Sequence, residues 1–270
     1  MKTSKIDGPN GAVAVHESPG RGEAIVLLHS NSASSRGFAR QIDGPLGEKF
    51  RIIGVDLPGH GQSDDAKDGA YALRSHAQAV HAVVDKLALS DACFVGWSLG
   101  GHVVLEMAPD LPKARGFMVF GTPPLGFPPR MDDAFLPNPA MALTFAPNFD
   151  RDQAATYVAS FFRRGFPNIP EFFIEDALRT DGRARAQLPA SLAPGRAYDE
   201  IAVAGALKAP LAVLHGAEER LVNGAYFRSI PMPTLWRGTV QGVPGAGHSP
   251  QWETPQTFNA LLEGFMRDTR

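Results

Sequence analysis

The sequence predicts an α/β protein: a mostly parallel sheet flanked by helices, with a helical lid inserted between its later strands. Three observations lead there. Short, strand-like apolar runs alternate with amphipathic stretches, each run ends in a turn signal, and the alternation lapses between residues 123 and 200 before it resumes. Strands apolar at every position suit a parallel sheet covered on both faces, because polar alternation arises where one face meets water.

Residues 24–28 (Ala-Ile-Val-Leu-Leu) form the first such run, residues 51–57 the second, stopped by Pro58-Gly59, and residues 92–95 the third, closed by Gly96. Between the second and third, residues 71–89 read as a helix, with Ala77, Val80, Val83, Val84 and Leu87 along one side. A helix over 99–107 and a strand over 116–120 continue the β-α-β pattern. After the lapse come a strand over 210–215, another near 235–243 and a closing helix over about 255–266. This divides the chain into a body, residues 1–122 and 206–270, and a lid over 123–205.

The lapse has its own composition. Residues 123–200 hold 11 of the 23 prolines and 9 of the 17 phenylalanines. Asp150 followed by Gln153 forms a capping-box pattern, and Ala154, Tyr157, Val158, Phe161 and Phe162 then share a helical face. A second helix is expected over about 171–178. Two readings of these aromatics stay open: a subdomain packed on the body, or a lid whose apolar underside lines a pocket.

Composition also excludes whole classes. With 26 basic and 28 acidic side chains, the net charge of -2 leaves no basic field for a nucleic-acid backbone. Apolar runs of about five residues are far too short to span a bilayer. The N-terminal Met1-Lys2-Thr3-Ser4-Lys5 has no apolar stretch behind it and does not read as a secretory signal. One cysteine, Cys93, cannot form an internal disulfide, which fits a cytoplasmic protein.

Gly96-Trp97-Ser98-Leu99-Gly100 has the pattern G-x-S-x-G between an expected strand and an expected helix. A serine there sits on a tight bend, with glycines where side chains would strike neighbouring backbone. Ser98 is therefore the expected nucleophile, and a serine nucleophile needs a base held by an acid. His248, in the glycine-rich loop Gly245-Ala246-Gly247-His248, is the expected base; a surface role is the alternative for a lone loop histidine. After the strand at 210–215 comes Gly216-Ala217-Glu218-Glu219, and Glu219 is the expected acid, with Glu218, or more remotely Asp132 or Asp133, as rivals. The backbone N–H groups of Leu99 and of Asn31, in His29-Ser30-Asn31-Ser32, are the expected oxyanion donors, unless Asn31 only holds a turn.

The order of these motifs, together with Asp56-Leu57-Pro58-Gly59-His60-Gly61-Gln62-Ser63, resembles the α/β-hydrolase superfamily over nearly the whole chain. Within it the chain is most similar to the metal-independent N-acyl-homoserine lactonases. His29 to Ser35, Gly96 to His102, Gly121-Thr122-Pro123-Pro124, Thr180-Asp181-Gly182-Arg183-Ala184-Arg185 and Ala246-Gly247-His248 carry that likeness, as does a glutamate acid where most relatives have aspartate. The resemblance implies the α/β-hydrolase fold, no cofactor and no metal, and a small-molecule ester or lactone substrate bearing an acyl chain. It further implies that Tyr157 touches substrate, with core packing as the alternative, and Trp97 beside Ser98 is a second candidate pocket wall. Ser30 stands where that branch has glycine; if the position needs a positive φ, serine strains it by about 1 kcal/mol.

Other functions on this scaffold are a carboxylesterase or other lactonase of broad specificity, an acyltransferase or perhydrolase, and a non-catalytic receptor. A zinc lactonase is disfavoured, because the chain lacks a His-x-His-x-Asp-His cluster and His76 and His81 do not share a helix face.

Overall fold

The computed structural model describes residues 1–269, which build one eight-stranded sheet. Its strands are β1 (Lys2–Gly8), β2 (Gly11–Glu17), β3 (Ala24–Leu28), β4 (Arg51–Val55), β5 (Cys93–Trp97), β6 (Gly116–Phe120), β7 (Leu211–Gly216) and β8 (Gln241–Val243), in the spatial order 1-2-4-3-5-6-7-8. From β4 to β8 every pairing is parallel, and β1 and β2 add an antiparallel edge.

The period of two along each strand assigns its side chains to faces. Val26, Leu28, Ile53, Val55, Phe94, Val119 and Val213 pack on one side against Val80 and Val83 of α1 (Leu73–Leu87) and Val103 and Val104 of α2 (Leu99–Met107). Ile25, Leu27, Ile52, Val95, Met118, Phe120 and Leu214 pack on the other, against residues that include Phe258, Leu262 and Phe265 of the closing helix, Pro255–Asp268. Both faces are covered, as uniformly apolar strands require.

Several boundaries differ from expectation. Gly96 does not close β5 but lies inside it. A strand near 235–243 is reduced to Gln241–Val243, because Arg237 (φ 58°) and Gly238 (φ 67°) are left-handed and turn the chain while Trp236 packs on Phe265. The β1–β2 hairpin is an element the expected set lacks; Gly8 pairs with Gly11 across Pro9-Asn10, the turn signal that marks it. β1 is largely exposed, with Ile6 its one buried residue.

The insertion contains α3 (Arg151–Ala159), opened by the Asp150/Gln153 capping box, and α4 (Glu171–Arg179). At its end, α5 (Glu200–Ala206) packs on α2 and places Val203 and Ala204 in the same core cluster as the strands. The 180–185 stretch is a clasp. Asp181 N–H donates to Gly59 O (2.9 Å) and its carboxylate accepts from the Tyr71 hydroxyl (2.5 Å). The buried Arg185 guanidinium donates to the carbonyls of Ala146, Pro147 and Ala177 and to Ser32 Oγ.

Below the clasp, Asp56 knots the loops: its carboxylate bonds His16 Nε2 (3.0 Å) and accepts from the N–H groups of Ser35 and Gln62 (both 2.8 Å). Burial would raise this carboxyl, but the His16 hydrogen bond and the other partners outweigh it and hold it well below the usual range. Beside it His29, His60 and His76 form a fully buried series, ring centroids 5.2 and 6.1 Å apart. Neither nitrogen of His76 has a protein partner. Burial pushes all three below the ordinary imidazole value, His76 to about 3.

An unfolded chain takes up these protons near pH 6.5, the native chain only at lower pH, so stability that is intact above about pH 6.5 is lost as the pH falls toward 3. His76→Leu should make urea-unfolding stability decline less steeply between about pH 6 and 4, by roughly 1 kcal/mol per pH unit. Equal slopes for the two proteins would count against this account.

Candidate active site

Ser98 occupies the bend between β5 and α2 with φ 53° and ψ -114°, a backbone few L-residues adopt. Such strain costs about 1–3 kcal/mol and persists only where neighbours enforce it. Here Ser98 N–H donates to Phe120 O (2.8 Å), while its carbonyl accepts from Gly101 N–H (2.8 Å) and the Thr122 hydroxyl (2.9 Å). Gly100 permits the bend: a Cβ there would lie 2.1 Å from the Leu28 carbonyl oxygen, so helix and strand end touch backbone to backbone.

That contact sets the start of α2 against the loop after β3. The N–H groups of Leu99 and Asn31 donate to no other described residue, and both residues line a narrow cavity of about 90 Å³ together with Ser98, Tyr157 and His248. The left-handed residue of the loop is Ser32 (φ 57°), not Ser30, so the strain expected at Ser30 is absent. Asn31 is buried, and its side-chain amide donates to Thr144 O (2.9 Å) of the insertion.

His248 follows β8, and its Nδ1 lies 2.8 Å from Glu219 Oε2, both side chains 2% exposed. Glu219 Oε1 accepts from the N–H groups of Arg220 (2.8 Å) and Leu221 (2.9 Å). Burial alone would raise this carboxyl; the charge of His248 and these hydrogen bonds prevail and keep it below the usual glutamate value. Of the alternatives, Glu218 is exposed, and Asp132 and Asp133 lie on a short exposed turn of helix. No hydrogen bond of 3.5 Å or less joins His248 to Ser98; they meet as walls of one cavity.

Two further groups support His248. Glu253, from the next short helix, accepts Gly247 N–H (2.8 Å) and Arg163 N–H (2.9 Å), tying the His248 loop to the insertion. Gly121 (φ 61°) lies under the imidazole, where a Cβ would come within 2.5 Å of the ring.

Tyr157, on α3, is buried and lines the cavity, its ring packed between a tilted Phe149 and an edge-on Phe161. Burial pushes its phenol up to about 12, against the opposing influence of Thr144, Arg185 and Asn31. Trp97 does not wall the pocket, a correction to the expectation above. The strand alternates, so the residue before Ser98 points into the opposite layer, where Trp97 is fully buried among Phe38, Phe120, Phe161 and Phe173 and reaches the cavity only through Phe161 and His248. The rest of the cavity is chiefly apolar, with Leu73, Leu125, Met131, Phe135, Leu188 and Leu192 around two polar residues, His102 and Thr144.

The chain matches the alpha/beta hydrolase family over residues 25–261. It is 26% identical to a 2-hydroxy-6-oxononadienedioate/2-hydroxy-6-oxononatrienedioate hydrolase of Pseudomonas sp., over 95% of this chain and 92% of that one. Among solved structures it is 34% identical to N-acyl homoserine lactonase AidH, in its complex with N-butanoyl homoserine (TM-score 0.94, 100% of this chain and 97% of that one). A variant of AidH complexed with N-hexanoyl homoserine lactone is equally similar (34% identity, TM-score 0.95, 100% and 98%). Esterase RhEst1 from Rhodococcus sp. shares the fold at 23% identity (TM-score 0.82, 100% of each chain). With a serine bend, a Glu–His pair and an eight-stranded sheet in this arrangement, the chain belongs to the alpha/beta hydrolase family and resembles, within it, the N-acyl homoserine lactonase AidH.

Proposed function

We propose that this hydrolase opens the lactone ring of N-acyl-homoserine lactones through a Ser98, His248 and Glu219 acyl-enzyme mechanism. The observation that carries the lactone over other esters is the 34% identity to AidH along the whole chain. The buried Glu219–His248 pair, whose imidazole lines the same cavity as Ser98, supports the mechanism.

Ser98 Oγ attacks the lactone carbonyl carbon as His248 Nε2 takes its proton, and the negative charge that forms on the carbonyl oxygen is held by the N–H groups of Leu99 and Asn31. As the intermediate collapses, the bond from the acyl carbon to the ring oxygen breaks, and His248 returns the proton to that oxygen. The leaving hydroxyl stays tethered, because it belongs to the homoserine now esterified to Ser98. Water deprotonated by His248 then releases N-acyl-homoserine. Glu219 holds the Nδ1–H tautomer throughout, and its lowered pKa keeps it ionised for that task well into the acid range. A second reading, a broad-specificity carboxylesterase, draws support from the apolar cavity, which suits any short acyl chain.

Ser98→Ala should lower kcat by about 10⁵-fold or more while the near-ultraviolet circular dichroism of the fold persists. Glu219→Gln should cost about 10³- to 10⁴-fold in kcat, and EDTA should leave the wild-type rate unchanged. In a comparison of kcat/KM, N-butanoyl- and N-hexanoyl-homoserine lactones should exceed the N-dodecanoyl compound, given the small volume of the cavity. Rapid hydrolysis of p-nitrophenyl butyrate with all lactones untouched would favour the carboxylesterase instead.

A further inference from the structure

Three polar side chains that line the cavity, Tyr157, Thr144 and His102, have no part in the mechanism above. His102 stands one turn of α2 beyond Ser98, among the leucines of the apolar wall. Its Nδ1 lies 2.8 and 2.9 Å from the two carboxylate oxygens of Glu200, the first residue of α5. Glu200 is buried, and its Oε2 also accepts Leu125 N–H (2.8 Å). An ionised carboxylate only accepts, so Nδ1 carries a hydrogen, and in the neutral imidazole Nε2, which no protein group engages, is left to the cavity as an acceptor. The other polar walls are otherwise committed: Ser98 and His248 to the chemistry, and the Asn31 amide to Thr144 O. The phenol of Tyr157 is held near Asn31 and Thr144.

We propose that His102, oriented by Glu200, is the specificity residue that accepts the amide N–H of an N-acyl substrate. This rests on the acyl-enzyme reading of the site. In an α-acylamino lactone or ester the amide nitrogen is about 2.5 Å from the carbonyl carbon that Ser98 attacks, and an acceptor sits about 2.9 Å beyond it. The sum is comparable to the rise of four helical residues, about 6 Å, and His102 is the fourth residue after Ser98. The apolar wall beyond His102, Leu73, Leu188 and Leu192, then receives the acyl chain. A simple alkyl ester or lactone has no hydrogen to offer Nε2 and leaves that acceptor unpaired.

The test compares kcat/KM for N-hexanoyl-homoserine lactone with that for α-hexanoyloxy-γ-butyrolactone, which has oxygen in place of the N–H, in wild type, His102→Leu and His102→Gln. The ratio of amide to oxyester should fall about 10- to 100-fold in His102→Leu and recover in part in His102→Gln, whose carbonyl restores an acceptor. An unchanged ratio in His102→Leu, whatever happens to both rates, would mean that His102 only fastens α2 to α5, and the proposal fails. If wild type leaves both lactones intact, the lactonase reading fails by itself. The p-nitrophenyl esters of N-hexanoylglycine and of hexanoyloxyacetic acid then decide on His102 by the same ratio.

Discussion

The structure turns on a contact between two pieces of backbone. Gly100, in the first turn of α2, lies so close to the end of β3 that no side chain fits between it and the Leu28 carbonyl. A helix starting there must bend sharply out of β5, which forces Ser98 into its left-handed conformation and turns the residue toward the cavity. The same approach brings Leu99 beside the loop that carries Asn31. The proposed nucleophile and oxyanion donors are therefore consequences of one packing distance, and the strain at Ser98 is sustained by the sheet around it.

The insertion extends this arrangement upward. Asn31 reaches Thr144, Ser34 donates to Asp176 on α4 (2.6 Å), and Arg185 joins Ser32 to the carbonyls of residues 146, 147 and 177. Glu253 ties the His248 loop to Arg163 in the same way. The loops that carry Asn31 and His248 are thus both bonded to the segment above them. The phenylalanines concentrated there divide between two tasks: Phe162 and Phe173 pack into the core layer under Trp97, whereas Phe135, Phe145 and Phe161 line the cavity.

What could be read from the chain followed from local physics. Strands 24–28 and 116–120 are legible because burial on both faces removes polar alternation, and the Asp150/Gln153 box marks a helix start by its own hydrogen bonds. Glu219 and His248 could be placed because chain order and flanking turns locate them. Illegible features depend on contacts between distant segments. Gly96 looks like a strand terminator until Gly100 and Gly101 are seen to press against it. Trp97 is a neighbour of Ser98 in sequence but points the other way. His102 and Glu200 are 98 residues apart, and nothing local in either element announces that they meet.

The sheet's two edges bear on how the molecule behaves in a crowded solution. One edge is β1, Lys-Thr-Ser-Lys-Ile-Asp-Gly, whose exposed positions include two lysines; the other is β8, only three residues long. An edge strand offers unpaired backbone groups that recruit a second sheet, and short length or charged side chains discourage that recruitment. The most apolar strands, β3, β5 and β6, occupy the interior of the order, where both of their edges are already paired. The chain thereby keeps its most aggregation-prone segments sequestered in the native state, and exposes them only when the sheet opens.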